Sequence, residues 1–189
     1  MAKKRLCRLL SVLTAITMLI TMVSAGLLYT AADETTAPEN VLQTQLASVR
    51  PIIMYPTTGT VVDSSRFNAA NANAVTMTTD GDKDTAAEVW GALDWDPARY
   101  VGVEYTLKSA VDCGAAYVYA QGGEKWRVYA SESADTLYTA DSLVDTVTAA
   151  ESGAKVTLDR RVRYVAFVNE AYEGAIHVRE LEVFTAAAD

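Results

Sequence analysis

Four side chains that carry oxygen ligands lie within six residues of one another. Asp80, Asp82, Asp84 and Thr85 surround Gly81. A divalent cation such as calcium binds several oxygen atoms at about 2.3–2.6 Å, and a glycine permits the tight backbone that such a loop needs. Asp and Gly are also common in ordinary solvated turns. The residues alone therefore favour a turn without metal, with a cation site as the alternative.

The sequence contains no recognisable catalytic constellation. His177 is the only histidine, and no Gly-x-Ser-x-Gly motif supplies a nucleophile for it. One histidine and few cysteines make a zinc site improbable. Carboxylate pairs identify no acid and base, since the chain has 24 acidic residues. We therefore predict a protein that is not an enzyme and keep a hydrolase centred on His177 as the weakest hypothesis.

Short apolar runs separated by turn residues dominate the chain after about residue 39. Alternation with a period of two predicts strands, here in segments 100–105, 117–119, 126–130, 162–168 and 176–184. Residues 134–147 are rich in Asp, Ser and Thr and are expected to form a loop between strands. Several such strands without long helical patterns predict an all-β antiparallel sandwich or barrel. Trp126 alternates in phase with Val128 and is assigned to the core.

The N-terminus has the pattern of a secretory signal. Residues 1–25 combine a basic start, an apolar stretch and the small residues Ser24 and Ala25. The alternative is an uncleaved membrane anchor, because apolar residues continue to position 29 and about 20 are enough to cross a bilayer. Residues 26–38 are predicted to be a linker and residues 39–186 the folded domain. We expect a secreted protein, or one held at the extracellular surface if the segment is retained.

The charge of the chain limits its partners, and its cysteine content limits its disulfides. The chain has a net charge of −8, and removing four basic leader residues leaves 12 basic against 24 acidic side chains. Such a surface disfavours nucleic acid and anionic membranes. Cys7 lies in the leader, so Cys113 would be the only cysteine of the exported part, which excludes an intrachain disulfide. We predict that Cys113 is buried and that the protein is a monomer.

Three segments, in order, resemble the discoidin family, also called the coagulation-factor C-type domain, whose bacterial members include many carbohydrate-binding modules. They are TDGDKDT at 79–85 followed by Trp90, WRVYAS at 126–131, and RYV at 163–165 followed by HVRELEVF at 177–184. The resemblance implies a jelly-roll-like, galactose-binding-domain-like β-sandwich. It also implies a structural calcium with Asp82, Thr85 and Glu180 as ligands, while Asp80 either contributes a side chain or caps the turn.

The resemblance further implies that ligand-binding loops lie at one end of the sandwich. The candidate ligand-binding residues are Trp90, Trp95, Arg163, Asn169 and Tyr172. Aromatic rings bind the apolar faces of sugars, and polar groups fix the hydroxyls. The leading hypothesis is an exported, non-catalytic carbohydrate-binding module that recognises cell-surface or polymeric glycans. The alternative is a protein-interaction or adhesion module of the same fold without a sugar site.

Overall fold

The computed structural model describes residues 37–91, 99–170 and 175–187. The predicted leader and most of the predicted linker lie outside these residues. The strands are β1 (Leu46–Tyr55), β2 (Thr60–Asp63), β3 (Ala87–Trp90), β4 (Tyr100–Ala120), β5 (Lys125–Ser131), β6 (Leu143–Thr148), β7 (Ala154–Asn169) and β8 (Ala175–Thr185). Two helices of one turn each are α1 (Val41–Thr44) and α2 (Asn71–Ala74). Among the described residues, no helix is long and apolar enough to cross a membrane.

The two longest strands, β4 and β7, connect two layers of an antiparallel sandwich. One layer has the order β2-β1-β4-β7-β5-β6, and in the other β8 pairs with both β4 and β3. The register between β4 and β7 breaks between the pairs Thr106↔Tyr164 and Val111↔Val162. Each strand therefore contributes its two halves to different layers. The predicted all-β antiparallel architecture is confirmed.

The core lies between the two layers. Along β4 the alternation of buried and exposed residues shifts by one position, so that both halves of the strand face this core. Val103 and Tyr105 are fully buried in the first half of the strand, whereas Val118 and Ala120 are fully buried in the second half. A shift of one residue moves every side chain of a strand to the opposite face. The irregularity in the middle of β4 therefore keeps both halves facing one core. Trp126 is also fully buried, as predicted.

The predicted strand segments all lie within described strands, but one expected loop was assigned incorrectly. Ala134–Thr136 and Ala140–Ser142 form two 3₁₀ turns, while Leu143–Thr148 is strand β6, which pairs with β5. Asp and Thr in this segment predicted a loop from local preference. Pairing with β5 overrides that preference, because strand formation depends mainly on neighbouring strands.

Candidate functional site

The ends of several strands meet at one end of the sandwich. Trp90 lies opposite Ala175, and Asn169 lies opposite both Val101 and Trp126. A four-residue connection, 121–124, joins the end of β4 to β5 at this same end. We call this region the loop end. Its strand ends flank residues 92–98 and 171–174, so the predicted ligands Trp95 and Tyr172 lie outside the described residues.

Trp90 presents an aromatic surface at the loop end. Its side chain is 37% exposed, which is unusual for a large apolar residue in this protein. Its backbone is held on both sides by the buried Asn71. The amide of Trp90 donates to Asn71 Oδ1 at 2.9 Å, and Asn71 Nδ2 donates to the Trp90 carbonyl at 2.7 Å. The strand end is therefore rigid while the indole faces solvent, as stacking against a sugar requires.

The other two described candidates lie in different environments. Asn169 is fully buried and its Nδ2 donates to Glu124 Oε2 at 2.5 Å, so it braces the turn before β5. Arg163 is exposed, with its guanidinium 5.6 Å from the ring centre of Tyr164. It precedes Asn169 by six residues along β7, a separation of about 20 Å in a strand. The structure thus brings Trp90 and Asn169 to the loop end and places Arg163 away from it.

One polar group at the loop end was not predicted from the sequence. Arg127 Nε lies 2.5 Å from Glu170 Oε1, and its guanidinium carbon lies 5.1 Å from the ring centre of Tyr100. Burial opposes the charge of Arg127, but hydrogen bonds to Tyr129 and Glu170 outweigh it and raise the Arg127 pKa. Arg127 sits inside the WRVYAS motif, where alternation places it on the face opposite Trp126. This position in the alternating pattern is the sequence feature that could have identified Arg127.

The Asp-rich loop packs against the middle of β8. Glu180 is fully buried, and its Oε1 accepts a hydrogen bond from the Gly81 amide at 3.3 Å. Its other oxygen, Oε2, is buried without a hydrogen-bond partner among the described residues. A buried carboxylate oxygen without a partner is costly. The loop and Glu180, which are 99 residues apart, are therefore brought together as the resemblance implied.

Within the loop, the side chains of Asp80 and Asp82 cap turns by accepting hydrogen bonds from backbone amides. Asp80 Oδ1 accepts from the Asp82 amide at 2.8 Å, and Asp82 Oδ1 accepts from the Asp84 amide at 2.9 Å. Thr85 Oγ1 donates to the Asp82 carbonyl at 3.0 Å. Gly81 has a φ of +85°, a conformation that glycine adopts readily. The role of Asp80 as a cap, one of the two alternatives from the sequence, is thus present in the structure.

The charge state of Glu180 follows from its surroundings. Burial, together with the negative charges of Asp80 and Glu182, raises the pKa of Glu180 to about 7, although the Gly81 amide and Lys83 oppose this shift. Within the described residues no three His, Cys, Asp or Glu side chains are grouped to hold a metal ion. A cation here would need the Thr85 hydroxyl and backbone carbonyls in addition to Glu180. The unpartnered oxygen of Glu180 fits such an ion.

His177, the residue considered for catalysis, lies near a carboxylate at the surface, and the buried Glu104 accepts three hydrogen bonds. His177 is exposed, with Nε2 4.0 Å from Glu88 Oε1. The buried Glu104 accepts two hydrogen bonds of 2.7 Å from Arg50 and one from the Tyr138 hydroxyl. The hydrogen bonds of Glu104 link β1, β4 and the segment between β5 and β6.

Many solved structures, including the following three, are similar to this chain, although no family model and no curated protein matches the sequence. A pectin-binding carbohydrate-binding module has a TM-score of 0.51 and 13% identity, covering 76% of this chain and 94% of that one. The CBM32 domain of AlyQ, in complex with 4,5-unsaturated mannuronic acid, has a TM-score of 0.51 and 12% identity, covering 75% and 96%. The lectin domain of lectinolysin, complexed with Lewis B antigen, has a TM-score of 0.51 and 15% identity, covering 79% and 98%.

These likenesses concern the fold, since the identities do not exceed 15%. Each matched chain is a binding domain that is covered over at least 94% of its length. The sequence motifs had indicated the same relationship independently. The chain therefore has the β-sandwich fold of the discoidin-like CBM32 carbohydrate-binding modules.

Proposed function

We propose that this chain is a non-catalytic carbohydrate-binding module that recognises cell-surface or polymeric glycans at its loop end. The observation that supports this most directly is the exposed indole of Trp90 on a strand end braced by Asn71. A flat aromatic ring on a rigid element binds the apolar face of a sugar with little loss of conformational entropy. Arg127 and Glu170 lie at the same end as polar groups for hydroxyls.

The ligands of the similar structures support a saccharide but no particular sugar. They include pectin, an unsaturated mannuronic acid and a Lewis B antigen. These ligands differ in charge and in linkage. The ligand of this chain is therefore best sought in a broad screen of plant, host and microbial glycans.

A structural calcium belongs to the same proposal. Glu180 would provide a carboxylate oxygen, with Asp80, Asp82, Thr85 and carbonyls of the loop as further ligands. The ion would neutralise the buried carboxylate and hold residues 80–85 against β8. Its role would be stability, because the loop contains no group positioned to activate water.

Export is the third part of the proposal. Cleavage after residue 25 would release an acidic module into the medium, whereas retention of residues 9–29 would hold it at a membrane. The secretory pattern of residues 1–25 supports cleavage.

The binding site is tested by glycan-array screening followed by affinity electrophoresis of variants on the best ligand. Trp90→Ala is expected to weaken binding at least about tenfold, which corresponds to about 1.4 kcal/mol. Arg163→Ala provides a control, because this exposed side chain lies away from the loop end. Its affinity is expected to stay within about twofold of the parent.

Two results would contradict the proposal. The first is the absence of binding across the array, which would favour the alternative of a protein-interaction module that uses the exposed Trp90 for a protein partner. The second is glycan binding that Trp90→Ala leaves unchanged. That result would remove the loop end as the site.

A further inference from the structure

A second aromatic surface lies on the outer face of the layer that contains β8, along the second half of β4. In the second half of β4, Val118 faces the core, so Tyr117 and Tyr119 face outward. On the paired strand β8, Glu182 lies opposite Tyr117 and Phe184 lies opposite Ala115. These residues line a groove of about 610 Å³. We call it the sheet-face groove.

Three aromatic rings of the sheet-face groove lie next to one another. Tyr117 and Tyr119 are nearly parallel, with centroids 6.2 Å apart and planes inclined by 22°. Phe184 meets Tyr117 edge to face at 5.7 Å. All three rings are only partly buried. The strands thus present adjacent, partly exposed aromatic rings, and exposed rings of this kind bind the apolar faces of sugars.

Gly153 helps to position this surface. It has a φ of +90°, and a Cβ atom at this position would lie 2.4 Å from Cε1 of Tyr119. Tyr119 therefore packs directly on the backbone of the turn before β7. Lys83 Nζ lies over the same ring, 3.8 Å from its centre, so the Lys83 ammonium covers one face of Tyr119. These two contacts fix the position of the Tyr119 ring at one edge of the groove.

The charges of the groove differ in sign from those of the chain as a whole. Lys83 Nζ pairs with Glu182 Oε1 at 3.0 Å, so these two charges compensate each other. Lys155 lies opposite Tyr117 on β7, is exposed, and forms no hydrogen bond or ion pair with any described residue. The described part of the groove therefore retains an uncompensated positive charge in a chain of net charge −8. This charge favours an anionic ligand.

We propose that the sheet-face groove is a second saccharide site, separate from the loop end, and that it binds oligosaccharides of uronic acids. A sugar ring would stack on the aromatic rings of Tyr117 and Phe184, and a carboxylate would pair with Lys155. A volume of about 610 Å³ lies within the range of about 300–1,000 Å³ that is typical of small-ligand sites. A uronic acid combines the two features that the groove selects, an apolar ring face and a negative charge.

Isothermal titration calorimetry of the exported protein with trigalacturonate tests this site. Lys155→Glu and Tyr117→Ala are each expected to weaken binding at least about tenfold. Lys108→Glu is the matched control, because Lys108 is exposed and lies outside the groove, and it is expected to have little effect. Methyl-esterified trigalacturonate, which keeps the sugar faces and lacks the charge, is expected to bind more weakly than the acid. Added salt should weaken only the acid.

Changes in the amide chemical shifts of the unsubstituted protein on addition of trigalacturonate locate the binding site. This NMR measurement requires no variant, so it does not depend on whether a variant folds. Shifts are expected at Tyr117, Tyr119 and Phe184. The proposal is overturned if trigalacturonate does not bind, if its ester binds equally well, or if Lys155→Glu leaves the affinity unchanged. Trp90→Ala separates this result from the proposed function. It should leave trigalacturonate binding intact, so loss of binding in that variant would assign the uronate to the loop end.

Discussion

Among single residues, Glu180 is the one whose chemistry depends most on its surroundings. In the sequence it is one of many acidic residues, on a strand where alternation could leave it in solvent. In the structure the loop 80–85 covers it, and one of its oxygens is buried without a partner among the described residues. Its pKa rises to about 7 for this reason. Glu180 is therefore the residue through which pH and a cation would act on stability.

The stability of the metal-free protein is expected to fall as the pH rises from about 4.5 to above 7. In this interval the folded protein keeps the proton of Glu180, whereas the unfolded chain loses it near the ordinary pKa of 4.5. The loss is on the order of 3 kcal/mol at most, because each pKa unit corresponds to about 1.4 kcal/mol. Urea denaturation in the presence of a chelator measures it. Glu180→Gln should flatten the dependence.

Calcium should stabilise the folded protein by binding the ionised carboxylate of Glu180. At neutral pH, millimolar calcium is expected to raise the melting temperature of the unsubstituted protein but not that of the Glu180→Gln variant. Glu88→Gln serves as the control, because it removes an exposed carboxylate outside the loop. An equal shift in the Glu180→Gln variant and in its parent would refute the calcium site.

At the scale of elements, the pairing of β4 with β7 unites the two layers. Gly102 lies in the first half of β4, where the strands approach closely. A Cβ atom there would be 2.4 Å from the carbonyl oxygen of Phe167 and 3.0 Å from the Cα of Val168. Both atoms belong to the backbone, so they cannot rotate away as a side chain can. The absence of a side chain at position 102 is therefore a condition of this pairing.

Gly102→Ala is expected to destabilise the protein by about 1–3 kcal/mol, the usual cost of forcing extra atoms into a packed region. Gly122→Ala is the matched control. Apart from its two neighbours in the chain, no described residue has an atom within 4 Å of the Cβ position at Gly122, and its φ is not positive. Its effect should stay within about 0.5 kcal/mol. Equal free energies of unfolding for the two variants would show that β7 accommodates the methyl group.

Strand β6 is the element that the local sequence failed to predict. The residues of Leu143–Thr148 include Asp145 and two threonines, and little of the segment is buried. Among the described strands, it is an edge strand that pairs only with β5. By contrast, β5 combines strict alternation with a buried Trp126, and sequence reasoning placed it correctly. Edge strands need only one partner and little burial, so they carry a weaker periodic signal.

At the scale of the whole molecule, the reactivity of the two cysteines tests two predictions. Cys113 tests the packing of the core, and Cys7 tests the removal of the leader. Cys113 is 1% exposed, and burial followed by the charge of Asp112 raises the pKa of its thiol to about 11. A buried thiol of high pKa reacts slowly with disulfide reagents. The prediction that Cys113 is buried is confirmed. Cys7, in the predicted leader, lies outside the described residues.

Titration with a thiol reagent should therefore detect no reactive thiol in the folded exported protein and one after unfolding. A retained leader would add the thiol of Cys7, giving two after unfolding. The intact mass of the protein recovered from the medium checks the same point independently. Two thiols in the exported protein would refute cleavage after residue 25.

The sequence by itself determined the class of fold, the positions of the main strands and the core role of Trp126. These depend on periods of two and on contiguous motifs, which are local properties of the chain. Only the tertiary structure decided that Glu180 is buried under the loop 80–85, that Trp90 is exposed and Asn169 buried, and that Lys155 lies beside Tyr117. Each depends on contacts between distant segments, and alternation alone cannot tell which face another segment will cover. The Asp-rich loop is a recognisable motif in the sequence, but its chemistry follows from the buried carboxylate that folding places beneath it.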